Sequence, residues 1–110
     1  MKGYKKVAVQ SDVLPGGAIR VKMGEEYVGL FNIDGRFYAI NNVCPHAGAP
    51  LSDGAVEGNV VTCPFHGWQF DVVKGCAVMS DEIKLKTYDV RLEGESIYIS
   101  LKSYNKFTTS

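Results

Sequence analysis

Two short stretches constrain this chain more than any other part of it. They are Cys44-Pro45-His46-Ala47-Gly48-Ala49-Pro50-Leu51 and Cys63-Pro64-Phe65-His66-Gly67-Trp68-Gln69-Phe70-Asp71. Each supplies one Cys and one His, as C-x-H and C-x-x-H, with residues 47–62 between His46 and Cys63. The protein has only 2 His and 3 Cys, so these stretches use both His and two of the Cys. Thiolate and neutral imidazole are the ligands that borderline and soft transition metals prefer. The pattern points to a Cys2His2 metal site built from two loops.

Four N/S ligands leave two candidates. Structural zinc is tetrahedral and accepts Cys2His2, but zinc modules usually pair two Cys close together and two His close together. Here each loop alternates one Cys with one His. That alternation suits a two-iron cluster in which each loop reaches both metals.

A chain of 110 residues is long enough for one domain with its own core and short for two. Lys+Arg and Asp+Glu balance at 12 each, so no basic field recommends nucleic acid as a partner. No apolar run approaches 18 residues, and no apolar segment follows the basic Met1–Lys6 start. A soluble, cytoplasmic, monomeric protein is the expectation. Three Cys interleaved with His fit a reducing compartment better than a disulfide framework.

The fold class expected is all-β. Gly is enriched, with 12, as many turns between short strands require. Residues 4–10 look like a first strand. Ile19, Val21 and Met23 alternate with Arg20 and Lys22 through 18–23. Runs 27–33 and 36–41 flank Asp34-Gly35, a pair suited to a type I′ hairpin turn, whose two central residues need positive φ. The stretch 42–59 reads as loop. Short strands are expected at 60–63 and 68–73, with 76–84 unassigned. A last hairpin runs 85–92 and 96–101, and the polar tail from Lys102 is expected to fray. The organisation is one domain, 1–110, with a β body at about 1–41 and 85–110 and a loop-rich site-bearing subdomain at about 42–84.

The ligand pattern and its flanks resemble the Rieske iron–sulfur family, and the strand-rich body resembles the small Rieske ferredoxins. The resemblance implies a [2Fe–2S] cluster with His46 and His66 on one iron and Cys44 and Cys63 on the other. It also implies antiparallel sheets in a sandwich or barrel-like body, with the cluster at the tip of a small subdomain. Two ferric ions and two sulfides sum to +2, which two thiolates cancel. The reduced site is then near −1 rather than the −3 of a four-thiolate cluster, so its potential lies above the roughly −400 mV of plant-type ferredoxins. Respiratory members carry two further Cys where this chain has Ala49 and Phe65, and Ser and Tyr hydroxyls where it has Trp68 and Phe70. Without those donors the midpoint is expected near about −150 mV rather than about +300 mV.

The function implied is that of an electron carrier with no catalytic residues of its own. A flavoprotein reductase would be its donor and a terminal oxygenase, such as an aromatic-ring hydroxylating dioxygenase, its acceptor. The alternatives are the small Rieske-like subunit of an assimilatory NAD(P)H nitrite reductase and a zinc-stabilised binding module. A complete oxygenase is not expected, since only residues 67–110 follow the second ligand pair and no His is left for a 2-His-1-carboxylate iron site. His46 and His66 would form the electron port, with Pro45, Pro64 and Phe65 as an apolar rim. Cys76 is expected to be an ordinary Cys beside a turn, Trp68 to pack beneath the cluster loop, and the Met residues to fill core. Gly48 and Gly67 are expected to let backbone approach the cluster with N–H groups aimed at sulfur.

Overall fold

The computed structural model describes residues 3–44, 48–65 and 67–104, the last four of these by backbone alone. His46, His66, Pro45 and the tail residues 105–110 lie outside the described residues. Two antiparallel sheets carry the structure. The larger has six strands: β1 (Tyr4–Val9), β2 (Ala18–Met23), β3 (Glu26–Ile33), β4 (Arg36–Asn41), β9 (Thr87–Glu93) and β10 (Ser96–Tyr104). Their order is β1-β10-β9-β4-β3-β2, and the sheet is nearly closed, like a barrel. The smaller contains β5 (Ala55–Glu57), β6 (Val60–Thr62), β7 (Gln69–Asp71) and β8 (Cys76–Ala77), in sequence order. The all-β class expected from the alternation is the class observed. Among the described residues no helix is long and apolar enough to cross a membrane.

Strand β3 explains how the two sheets share one molecule. It is buried on both faces, with Val28 and Leu30 in one apolar cluster and Phe31 and Ile33 in the other. Side chains along a strand point to opposite faces with period two, so one strand serves two cores. The first core lies inside the larger sheet and holds Met23, Ala39, Tyr88, Ile97 and Ile99 beside Val28 and Leu30. The second joins Phe31, Ile33 and Ile40 to Leu51, Val61, Phe70, Val72 and Leu85, and contains both Cys44 and Cys63. The β3–β4 hairpin turns at Asp34 and Gly35, whose φ values of 53° and 91° are both positive, as the Asp-Gly pair requires.

Several boundaries differ from the sequence reading. The stretch 42–59 is not all loop: a 3-10 turn spans Leu51–Asp53 and β5 spans Ala55–Glu57. Its pairing partner β6 follows across Gly58-Asn59, a turn pair that marks a hairpin. Strand β7 ends at Asp71 rather than at residue 73, because the Asp71 carboxylate accepts the N–H groups of Val73 and Lys74 and turns the chain. The last strand runs on to Tyr104, with Ser103 and Tyr104 paired to Tyr88 and Thr87, so the fraying expected from Lys102 does not begin there. Met23 is buried core, but Met79 is 61% exposed and fills nothing.

Candidate metal centre

Each cysteine closes a loop in the same way. Cys44 N–H donates to the carbonyl of Ala49 at 2.9 Å, and Cys63 N–H donates to the carbonyl of Trp68 at 2.7 Å. In both loops a proline follows the cysteine and a glycine stands four residues after it. Gly48 and Gly67 have φ of 72° and 73°, a conformation that glycine adopts without steric cost. The two loops share the sequence pattern C-P-x-x-G and a glycine of positive φ at its end, a repeat visible in the sequence but overshadowed there by the His spacing. The backbone N–H that acts on sulfur in the second loop is that of Phe65, while the glycine N–H groups bond to carbonyls. Gly48 donates to the Cys44 carbonyl and Gly67 to the Phe65 carbonyl, both at 2.8 Å. Among the described residues a Cβ at either glycine would meet nothing within 4 Å, so it is the positive φ that calls for glycine here.

The loops bring the two thiols together. Cys44 and Cys63 are each 1% exposed, neither is in a disulfide, and the two side chains lie close enough for Cys44 to perturb the Cys63 thiol. Burial pushes the Cys63 thiol above its ordinary range. The Phe65 backbone N–H, donated to the sulfur, works the other way, and the adjoining Cys44 adds to the rise. A dry pocket holding two thiols side by side disfavours two bare thiolates. A cation bound there would offset that cost, since coordination deprotonates a thiol outright. The donor set therefore fits a metal group that takes two cysteines on one side, as a two-iron cluster does.

The remaining sequence-nominated residues separate into those near the site and those apart from it. Trp68 is half-buried, packs against the core that holds both cysteines and lies 6.4 Å from the Phe70 ring, centroid to centroid. Pro64 is exposed and Phe65 is 55% exposed, so this part of the rim faces outward. Cys76 is buried and donates to the Asp81 carboxylate at 3.7 Å. Among the described residues no group of three or more Cys, His, Asp or Glu gathers, so Cys76 does not join the Cys44–Cys63 pair.

Known proteins agree with this geometry. Residues 3–99 match the Rieske [2Fe-2S] domain family. The ferredoxin component of the naphthalene 1,2-dioxygenase system of Pseudomonas putida is 37% identical over 104 residues, covering 92% of this chain and 97% of that protein. Among solved structures, the complex of reduced oxygenase and oxidised ferredoxin in carbazole 1,9a-dioxygenase matches with a TM-score of 0.86 at 30% identity, over 96% of this chain and 100% of the matched one. The ferredoxin of carbazole 1,9a-dioxygenase from Nocardioides aromaticivorans IC177 matches with a TM-score of 0.85 at 27% identity, over 92% and 100%. The match over residues 3–99 and the 37% identical ferredoxin place the chain in the Rieske [2Fe–2S] family, and the two buried cysteines agree with it. Its cofactor is a [2Fe–2S] cluster and its work is electron transfer.

Proposed function

We propose that the cluster is held by Cys44 and Cys63 on one iron and His46 and His66 on the other, and that residues 42–84 form the subdomain that presents it. The observation carrying this reading is the pair of adjoining buried thiols, contributed by two loops that each also encode one His. When bound, the cluster supplies one-electron chemistry. The chain's own residues exclude water from the cysteine side and hold the Phe65 N–H on the Cys63 sulfur.

The donor in this reading is a flavoprotein reductase and the acceptor the terminal oxygenase of a ring-hydroxylating system. The naphthalene dioxygenase ferredoxin at 37% identity and the ferredoxin matched in an oxygenase complex support the acceptor. Exposed Pro64 and Phe65, beside the second cysteine, offer an apolar rim for docking. Aromatic side chains are enriched where such interfaces carry their energy.

Iron and sulfide analysis of anaerobically purified protein, with EPR before and after dithionite, tests the cluster. Two irons and two sulfides per chain, with a rhombic signal only after reduction, are expected. A colourless protein holding one zinc would overturn the reading. Reoxidation of the reduced protein by an aromatic-ring dioxygenase component tests the acceptor; stable co-purification with a large flavin- and haem-bearing subunit would assign the chain to nitrite reduction instead.

A further inference from the structure

Asn42 is the fully buried polar residue nearest in sequence to the first cysteine, with 0% exposure. Each of its four polar groups is engaged. Its backbone N–H donates to the Tyr27 carbonyl at 2.9 Å, and its carbonyl accepts the Leu51 N–H at 2.8 Å. Its side-chain Nδ2 donates to Ser52 Oγ at 2.9 Å, and its Oδ1 accepts the Ser52 N–H at 2.7 Å. One residue thereby ties the end of β4 to the far end of the first loop and anchors both to β3. The Val43–Pro50 bridge and the Cys44–Ala49 hydrogen bond then stack directly on this clamp.

The floor beneath the clamp is equally specified. A Cβ at Gly29 of β3 would stand 2.7 Å from Asn42 Oδ1 and 2.9 Å from the Phe31 ring. Real Cβ atoms do not approach so closely, so the Asn42 amide rests where strand β3 has no side chain. Its position is set from below by Gly29, from the side by Ser52 and along the chain by Tyr27.

We propose that Asn42 is a positioning residue for the cluster: its clamp on Ser52, seated on Gly29, fixes where the Cys44 sulfur stands. The inference rests on the assignment of Cys44 as a ligand. An anchor with four hydrogen bonds two residues before a ligand restrains the backbone from which that ligand's side chain projects, and outer partners of this kind hold first ligands in register.

The molecule contains its own control. Asn32, 4% exposed, is a second buried asparagine clamp in the same hairpin; its Nδ2 donates to the Val13 carbonyl and its Oδ1 accepts the Gly35 N–H, both at 2.7 Å. It serves the β3–β4 turn, at the opposite end of that hairpin from the cysteine loop. Asn42→Ala, Ser52→Ala and Gly29→Ala would be compared with Asn32→Ala in three readouts: thermal midpoint, rate of iron loss to a chelator, and EPR g values of the reduced protein. Iron loss about 10- to 100-fold faster in Asn42→Ala is expected, with altered g values. Ser52→Ala and Gly29→Ala should move in the same direction, and Asn32→Ala should lose thermal stability with unchanged g values. Ser52→Ala keeps the backbone bond to Oδ1, so it decides the matter if Asn42→Ala fails to fold. Iron loss that follows the thermal midpoint alike in all variants, with unchanged g values, would overturn the role of Asn42 while leaving the cluster assignment intact. Wild-type protein that holds no iron would overturn both.

Discussion

Cys44 and Cys63 pack into one core, each 1% exposed and close enough for one thiol to perturb the other, yet they come from loops separated by two strands of the smaller sheet. Such a pair is costly to keep unless something uses it. Two thiols in contact would normally oxidise to a disulfide or ligate a metal. The Phe65 N–H on the Cys63 sulfur favours the anionic form that a ligand adopts.

Replacing either member of the pair should therefore remove the cluster. Cys44→Ser and Cys63→Ser are expected to purify with little iron and no visible absorption, whereas Cys76→Ala should retain two irons per chain. Burial first, then Asp81, pushes the Cys76 thiol above its ordinary range, so at neutral pH it is a protonated and unreactive group. Losing it should cost about 1 kcal/mol. Iron analysis and a thermal melt check both statements; loss of iron from Cys76→Ala at full fold would contradict them.

The midpoint potential should lie near about −150 mV, at the low end of the Rieske range. Phe70 is fully buried in the core that holds both cysteines and has no donor to offer sulfur. Phe70→Tyr places a hydroxyl in that core, where a partner is needed. If it donates to cysteine sulfur, a hydrogen bond of about 1–2 kcal/mol to the reduced state raises a one-electron midpoint by roughly 40–80 mV. Protein-film voltammetry of the two proteins reads the difference. A wild-type midpoint above about +50 mV would be inconsistent with the missing donors.

The Tyr88 hydroxyl donates to the Glu26 carboxylate, which also takes Lys86 Nζ at 2.7 Å. Burial, and then the Glu26 bond, push Tyr88 up to about 12 from an ordinary 10.0. Between those values the unfolded chain has released the proton that the folded chain keeps. The unfolded state then binds fewer protons, and stability falls as pH rises. The contribution is complete below about pH 10 and gone by about pH 12, amounting to at most about 3 kcal/mol before solvent screening at Glu26 is discounted. Urea midpoints across this window should drop more steeply for wild type than for Tyr88→Phe. Parallel curves would show that the phenol carries no such linkage.

Much of this architecture was legible because its signals were local. Ile19, Val21 and Met23 announce β2 by alternation, and Asp34-Gly35 announces the adjoining hairpin. The four candidate ligands stood out by spacing alone. What escaped was carried by pairing partners distant in sequence. Strand β5 is only Ala55–Glu57, with no fully buried residue, and is a strand because β6 lies beside it. The Lys102–Tyr104 end of β10 is polar, and it is held by β9 rather than by its own composition. Asn42 looked like one more loop asparagine, because nothing local tells that Ser52 and the bare backbone of Gly29 will enclose it.

Gly54 and Gly48 separate two reasons for glycine in this region. Gly54 has an ordinary negative φ of −81°, but a Cβ there would lie 2.0 Å from the Thr62 carbonyl oxygen and 3.1 Å from Val61. Thr62 is the last residue of β6 and precedes Cys63. Gly54→Ala must therefore push β6 away from β5 and carry the second cysteine loop with it. A cost of about 3 kcal/mol is expected, the upper part of the usual overpacking range, together with faster iron loss. Gly48 has no described atom within 4 Å of where a Cβ would stand, but a φ of 72°. Gly48→Ala should cost only about 1 kcal/mol, the conformational penalty of a left-handed residue. Thermal melts of the two variants should differ in that order. Equal losses would mean that β6 yields to the new methyl group more readily than its position between β5 and β7 suggests.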